Sequence, residues 1–175
     1  LLISLISLGY ISILFSKVAQ SEESDTATFL KAIYAKDFPM MDKLIEGGFN
    51  INAHIRNDLT PLAEAAYAGD LEVVNYLLRK GAKVEGSKKL PNSPMYYAIF
   101  MGNTVLVSRF LDLGISSNYT WPAGEGTGGT LLTVAVDSGH LETVELLIQR
   151  GADVNVRGSG NFGALYRSIF SDHFD

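Results

Sequence analysis

Apolar residues recur along this chain in two alternating patterns. In TPLAEAAYAGDLEVVNYLLRKGAKVE, from Thr60 to Glu85, a short alanine-rich run is followed by a longer segment. Thr60 before Pro61 predicts a helix N-cap with proline at the first helical position, where its missing N–H costs nothing. The spacing predicts a helix from there to Ala68, with Ala63, Ala65 and Ala66 small enough for close approach of a neighbour. Gly69 ends it, because glycine accepts the left-handed conformation of a helix C-terminus. Asp70 caps a second helix, in which Val73, Val74, Leu77 and Leu78 form one buried face. Arg79 and Lys80 suit its last turn, and Gly81 stops it.

The same sentence recurs. TLLTVAVDSGHLETVELLIQRGADVN begins at Thr130, SPMYYAIFMGNTVLVSRFLDLGISSN at Ser93, and ATFLKAIYAKDFPMMDKLIEGGFNIN at Ala27. The glycine closing the first helix stands at Gly69, Gly102 and Gly139, with Lys36 in its place in the first copy. The second closing glycine follows at Gly48, Gly81, Gly114 and Gly151. A helix pair of this kind cannot bury its apolar face alone and must stack on copies of itself.

A period of about 33 residues with a TPL start resembles the ankyrin repeat family, over roughly Ala27 to Asp175. The resemblance implies an all-α solenoid of helix-turn-helix units joined by β-turn or hairpin loops. Repeats are expected at about 27–59, 60–92, 93–129 and 130–162, with a partial one at 163–175. The first is the most degenerate, as expected of a terminal cap. The third is longer, and its extra length lies between Asn118 and Gly129. Where the family prefers histidine after TPL, this chain has Ala63, Tyr96 and Thr133.

Ahead of the repeats, Leu1 to Phe15 is apolar all round with interspersed serines and carries no charge. A fifteen-residue helix rises about 22 Å, short of a hydrocarbon layer of about 30 Å. That length suits a secretory signal, with Ala19-Gln20-Ser21 supplying a cleavage region before Glu22. An uncleaved membrane anchor and a buried capping helix are the alternatives for residues 1–21. The expectation is an exported or membrane-anchored protein whose domain spans 22–175.

Composition narrows the function further. The net charge is −5 over 175 residues, which argues against a nucleic-acid partner. The local cluster of Arg79, Lys80, Lys83, Lys88 and Lys89 reads as a solvated helix end and loop. Without cysteine there is no disulfide and no thiolate metal site. GEGTGGT, from Gly124 to Thr130, lacks the lysine of a phosphate-binding loop and reads as a turn. His54, His140 and His173 fall on different repeats without ligand spacing, so structural roles are expected of each, with His140 at a helix N-cap. Asn118-Tyr119-Thr120 fits a glycosylation triplet that is common by chance.

The expected function is therefore a monomeric, non-catalytic scaffold that grips a protein, with no cofactor, metal, small-molecule substrate or nucleic acid. A membrane-tethered adaptor, or a regulatory domain of a longer enzyme, are the alternatives. The family resemblance implies that the two residues before the first glycine face the groove and vary with the partner. Those pairs are Tyr34-Ala35, Tyr67-Ala68, Phe100-Met101, Asp137-Ser138 and Phe170-Ser171. Tyr34, Tyr67, Phe100 and Met101 then form an apolar line, rimmed by the turn residues Arg56, Asn57, Leu59, Lys89 and Asn92. The competing reading is that the tyrosine rings simply pack on the adjacent helix. Tyr119 and Trp121, in the enlarged turn, are candidate contacts too, unless Trp121 folds back on its own repeat.

Overall fold

The computed structural model describes residues 25–84, 93–120, 129–156 and 163–165. Eight helices occur among them. They are α1 (residues 25–35), α2 (Phe38–Glu46), α3 (Pro61–Tyr67), α4 (Leu71–Arg79), α5 (Pro94–Phe100), α6 (Thr104–Asp112), α7 (Leu131–Asp137) and α8 (Leu141–Gln149). They pair in chain order, and each pair stacks on the next: α3 packs on α5, α5 on α7, and α6 on α8. The apolar leader, residues 1–21, lies outside the described residues. Among the described residues no helix is long and apolar enough to cross a membrane.

Local chemistry sets the helix lengths. The hydroxyls of Thr60, Ser93 and Thr130 accept from the amides of Ala63, Tyr96 and Thr133, so three first helices start identically. Thr133 completes a reciprocal cap at Thr130, its hydroxyl accepting from the Thr130 amide at 2.8 Å. This is the residue that stands where the family prefers histidine, and it is buried. The second helices α2, α4 and α6 are capped by Asp37, Asp70 and Asn103. His140 occupies the same position on α8 but makes no side-chain cap. Its Nε2–H instead donates to the Phe100 carbonyl at 2.9 Å, tying the fourth repeat to the end of α5.

The joints between repeats follow one plan with different chemistry. Asn103 reaches back to the Gly69 carbonyl at 3.3 Å, as His140 does to Phe100. At the first joint Asp70 meets the ammonium of Lys36 at 2.5 Å. Lys36 sits in the left-handed region at φ 53, where the later repeats have glycine. Gly102 could not be replaced so. Its φ is 67, and a Cβ there would stand 2.6 Å from the His140 ring.

A second set of clasps lies at the loops. The Asn52 carboxamide accepts from the Lys83 amide at 2.8 Å and donates to the Gly81 carbonyl at 3.4 Å. Asn118 repeats the arrangement two joints further on, accepting from the Asp153 amide at 2.7 Å and donating to the Gly151 carbonyl at 2.9 Å. The glycosylation triplet is thus explained by a structural asparagine whose amide nitrogen is already engaged. Asn118→Ala removes both bonds and should cost about 1–2 kcal/mol, faster hydrogen exchange at the Asp153 amide being the check.

Val73, Val74 and Leu77 of α4 are fully buried, as the pattern of that helix predicts, while Leu78 is only partly so. Leu106, Val107 and Phe110 of α6, and Leu147 of α8, continue the same core. Phe29 of α1 stacks on Phe49 at 4.3 Å between centroids and closes the first repeat.

Candidate functional site

The first helices deliver their last turns to one face of the stack. Tyr34 at the end of α1 is 52% exposed, Tyr67 at the end of α3 41%, and Phe100 at the end of α5 46%. Met101, just beyond α5, is 47% exposed. Asp137 takes the same register place at the end of α7 and is exposed. So three consecutive repeats present a large aromatic side chain, and the fourth an acid.

Those rings are held, not dangling. The Tyr34 hydroxyl donates to Glu64 Oε1, and the Arg56 guanidinium pairs with the same oxygen. Arg56 also donates to the Tyr34 hydroxyl at 3.3 Å. Burial, then the Glu64 carboxylate, pushes the Tyr34 phenol up, and that carboxylate also holds the guanidinium even more firmly charged. Glu64 is completely buried, and its Oε2 has no hydrogen-bond partner among the described residues. Further along, Tyr67 meets Tyr97 edge to face at 5.5 Å, and Tyr97 meets Tyr96 likewise at 5.4 Å. Tyr96 lies parallel to Phe100 at 5.8 Å. Burial pushes the phenols of Tyr96 and Tyr97 up, with the charge of Asp137 adding to the first and that of Glu64 to the second.

The turn before α3 places the rim. Asn57 and Asp58 both have positive φ, 47 and 62, and form the exposed tip of a two-residue hairpin closed by the antiparallel bridge Arg56↔Leu59. Arg56 and Asn57 are exposed beside the ladder. Leu59 corrects the expectation of a rim residue. The tip takes only two residues, so Leu59 falls back on the stem beside the Thr60 cap and is 5% exposed. Tyr119 is 44% exposed at the far loop. Thr120 and Thr130 pair across the base of the enlarged turn, as Arg56 and Leu59 do in the earlier one. Lys89, Asn92, Trp121, Phe170, Ser171 and His173 lie outside the described residues.

A different concavity, of about 1070 Å³, opens on the side of the second helices α4, α6 and α8. Leu71, Val105 and Leu146 line it, with Asn75 and Arg109 hydrogen-bonded across it at 3.1 Å. It includes none of the ladder residues. Among the described residues no cluster of His, Asp or Glu could hold a metal ion.

Two family profiles match the chain. One, described as ankyrin repeats (many copies), covers residues 29–78, and the other, described as ankyrin repeats (3 copies), covers 85–158. Together they take in more than half of it. The chain belongs to the ankyrin repeat family. Comparison with curated proteins gave no match. Ankyrin repeats in general mediate protein–protein interaction, and proteins made of them are typically non-catalytic scaffolds.

In this ankyrin repeat protein the residue that sequence reasoning missed is Glu64. The available signal was a charge inside the uninterrupted buried run Pro61–Ala66, which demands a partner. Arg56, eight residues earlier in the preceding turn, was the cation within reach. Tyr96 and Tyr97 were also passed over, because their register places are alanine and glutamate in the second repeat.

Proposed function

We propose that this protein is a scaffold that takes an apolar segment of a partner protein along the face formed by Tyr34, Tyr67, Phe100 and Met101. The observation that carries this reading is the recurrence of a half-exposed aromatic side chain at one register place in three successive repeats. A contiguous apolar surface of that kind is a recognised mark of an interaction site. Two features reduce the cost of binding there. The Tyr34 hydroxyl is already fixed by Glu64 and Arg56, and Tyr67 is braced by Tyr97, so little side-chain entropy remains to be lost. The ring contacts with neighbouring helices are thus compatible with display, and nearly half of each ring surface stays in water.

Affinity capture with the repeat domain, compared between wild type and variants, tests this. Tyr67→Ala and Phe100→Ala should each weaken retention of a specifically captured protein by about 1–4 kcal/mol. Both sites are exposed, so the denaturation midpoint should hardly move. Loss of stability with unaltered affinity per folded molecule would make the ladder a packing feature and place the target elsewhere.

The proposal extends to location. The apolar run from Leu1 to Phe15, with small residues at Ala19 and Ser21, supports a scaffold working outside the cytoplasm. A mature terminus at Glu22, found by N-terminal sequencing of the full-length product, is the expected result. An intact leader recovered with membranes would make it a tethered adaptor instead.

A further inference from the structure

Arg79 and Arg109 stand in the last turns of α4 and α6, and both line the concavity on the side of the second helices. The Arg109 Nε–H donates to the Asn75 carboxamide oxygen at 3.1 Å, and Asn75 lies one turn before Arg79 on α4. Residues four apart share a helix face, so this bond brings the Arg109 guanidinium to the flank of Arg79. Two like charges then stand together without a carboxylate. Asp112 is taken by Arg150 at 2.7 Å, Asp42 by Lys80, and Glu72 lies 3.8 Å from Lys36. Neither arginine has an ion pair among the described residues. The partial negative charge of the two helix ends accounts for cations at these positions, and it leaves guanidinium N–H groups for a planar acceptor. Beside them the concavity is apolar. Leu71, Val105 and Leu146 line it, and Val105 is 58% exposed. Its register place, nine residues before the closing glycine, is held by Glu72 in the second repeat and Glu142 in the fourth. Valine there presents apolar surface where both neighbours have an acid.

We infer that this concavity is a second docking site, away from the aromatic face, for an acidic amphipathic helix of a partner protein. Its apolar side chains lie on Leu71, Val105 and Leu146, and one of its carboxylates is held by Arg79 and Arg109. A concave surface calls for a convex occupant, which the apolar face of a helix provides. A second copy of this chain would bring its own hollow to the contact, and two hollows facing each other enclose a void instead of packing. A bare polyanion such as a nucleic-acid backbone gains nothing from the apolar floor. It is also repelled by Glu142, an exposed acid that lines the same concavity. The charges thus select a segment that is acidic at one end and apolar along its length.

The probe is a synthetic, N-acetylated and C-amidated helical peptide of about 15 residues, with leucines three and four apart and two glutamates near one end. Its counterpart with glutamine for glutamate is the neutral control, and inorganic phosphate tests for a bare anion site. Binding to the 175-residue chain is followed by NMR, through the Nε–H signals of Arg79 and Arg109 and the methyl signals of Leu71, Val105 and Leu146. The expected result is saturable movement of both sets with the acidic peptide, and about three- to tenfold weaker binding of the glutamine form. Arg79→Gln and Arg109→Gln should each remove most of that preference, while Val105→Ser should weaken both peptides alike. All three side chains are exposed, so the fold should persist, which unchanged amide signals elsewhere would verify. Equal affinity for the two peptides, or a preference that survives both arginine substitutions, would overturn the inference. Phosphate that moves the arginine signals as far as the acidic peptide does, with Val105→Ser silent, would overturn it too. Tyr67→Ala and Phe100→Ala should leave this binding intact, so it stands or falls apart from the aromatic groove. Loss of peptide binding in those variants would place the peptide on the aromatic face and defeat the second site.

Discussion

Leu77→Ala should cost about 2–5 kcal/mol of stability and shift the urea midpoint accordingly. Leu77 has no exposed surface and lies four residues before Gly81 on α4. Phe110 and Leu147 hold the same place before Gly114 and Gly151, and each is likewise 0% exposed. Truncation removes the transfer free energy of the lost carbons and leaves a cavity that neighbouring helices fill only in part. In a stacked array each unit is stabilised chiefly by its neighbours, so a hole in α4 weakens the joints on both sides of it. The transition should therefore broaden as well as move, because partly unfolded arrays become populated. Leu147→Ala, at the equivalent place of α8, should fall in the same range. An unmoved midpoint for Leu77→Ala would mean that the repeat register is wrong.

Arg56→Ala should cost about 2–4 kcal/mol, unusually much for a residue whose side chain is 44% exposed. The reason lies in its partner. Glu64 is wholly enclosed within the buried run of α3, and the guanidinium is the charge that compensates its carboxylate. Removing one member of such a pair leaves an ion without compensation, which is worse than having no pair at all. Water reaches Arg56, so the loss should stay below that of a fully enclosed pair. Glu64→Gln in the Arg56→Ala background removes the stranded charge and keeps an acceptor for the Tyr34 hydroxyl. That double variant should regain more than half of the lost stability. The two substitutions would then show strong non-additivity in a cycle. If Arg56→Ala is as silent as alanine at the exposed Lys83, the turn is not anchored through Glu64.

The repeat frame was readable because its determinants are local. Thr60 with Pro61, Asp70 and Gly81 each act on backbone groups within four residues, so composition at one place fixes a helix end there. What resisted reading depends on contacts between repeats. His140 was expected at a cap, and it stands there, yet its ring makes no cap hydrogen bond and instead donates to the Phe100 carbonyl of the neighbouring repeat. Asn118 stood out only as part of a glycosylation triplet that is common by chance, and it is a clasp to a loop 33 residues away. Leu59 looked like a rim residue because its register place is a turn. The positive φ of both Asn57 and Asp58, which shortens the tip and returns Leu59 to the stem, is not visible in a β-branched or glycine signature. At the groove, the aromatic register was legible, but the way Tyr96 and Tyr97 link Tyr67 to Phe100 depends on side-chain rotamers that no periodicity encodes.

The three joints at the first-helix ends respond to different variables. The joints at Asn103 and His140 are hydrogen bonds to backbone carbonyls, which added salt hardly affects. The first joint is ionic. Lys36 meets Asp70, with Glu72 3.8 Å from the same ammonium, at a site where half of the lysine side chain is in water. Of these three joints, screening over about 8 Å at physiological ionic strength, and less above it, acts on the first; elsewhere it also reaches the Lys80–Asp42 pair and the Arg150–Asp112 pair that links α8 to α6. Ionic strength thus acts most where the ion pairs gather, at the seam of α1 and α2 with the second repeat, and less at the later repeats, where Arg150 meets Asp112. Tyr34 belongs to α1, so the same variable would set how many rungs of the ladder a partner finds in line.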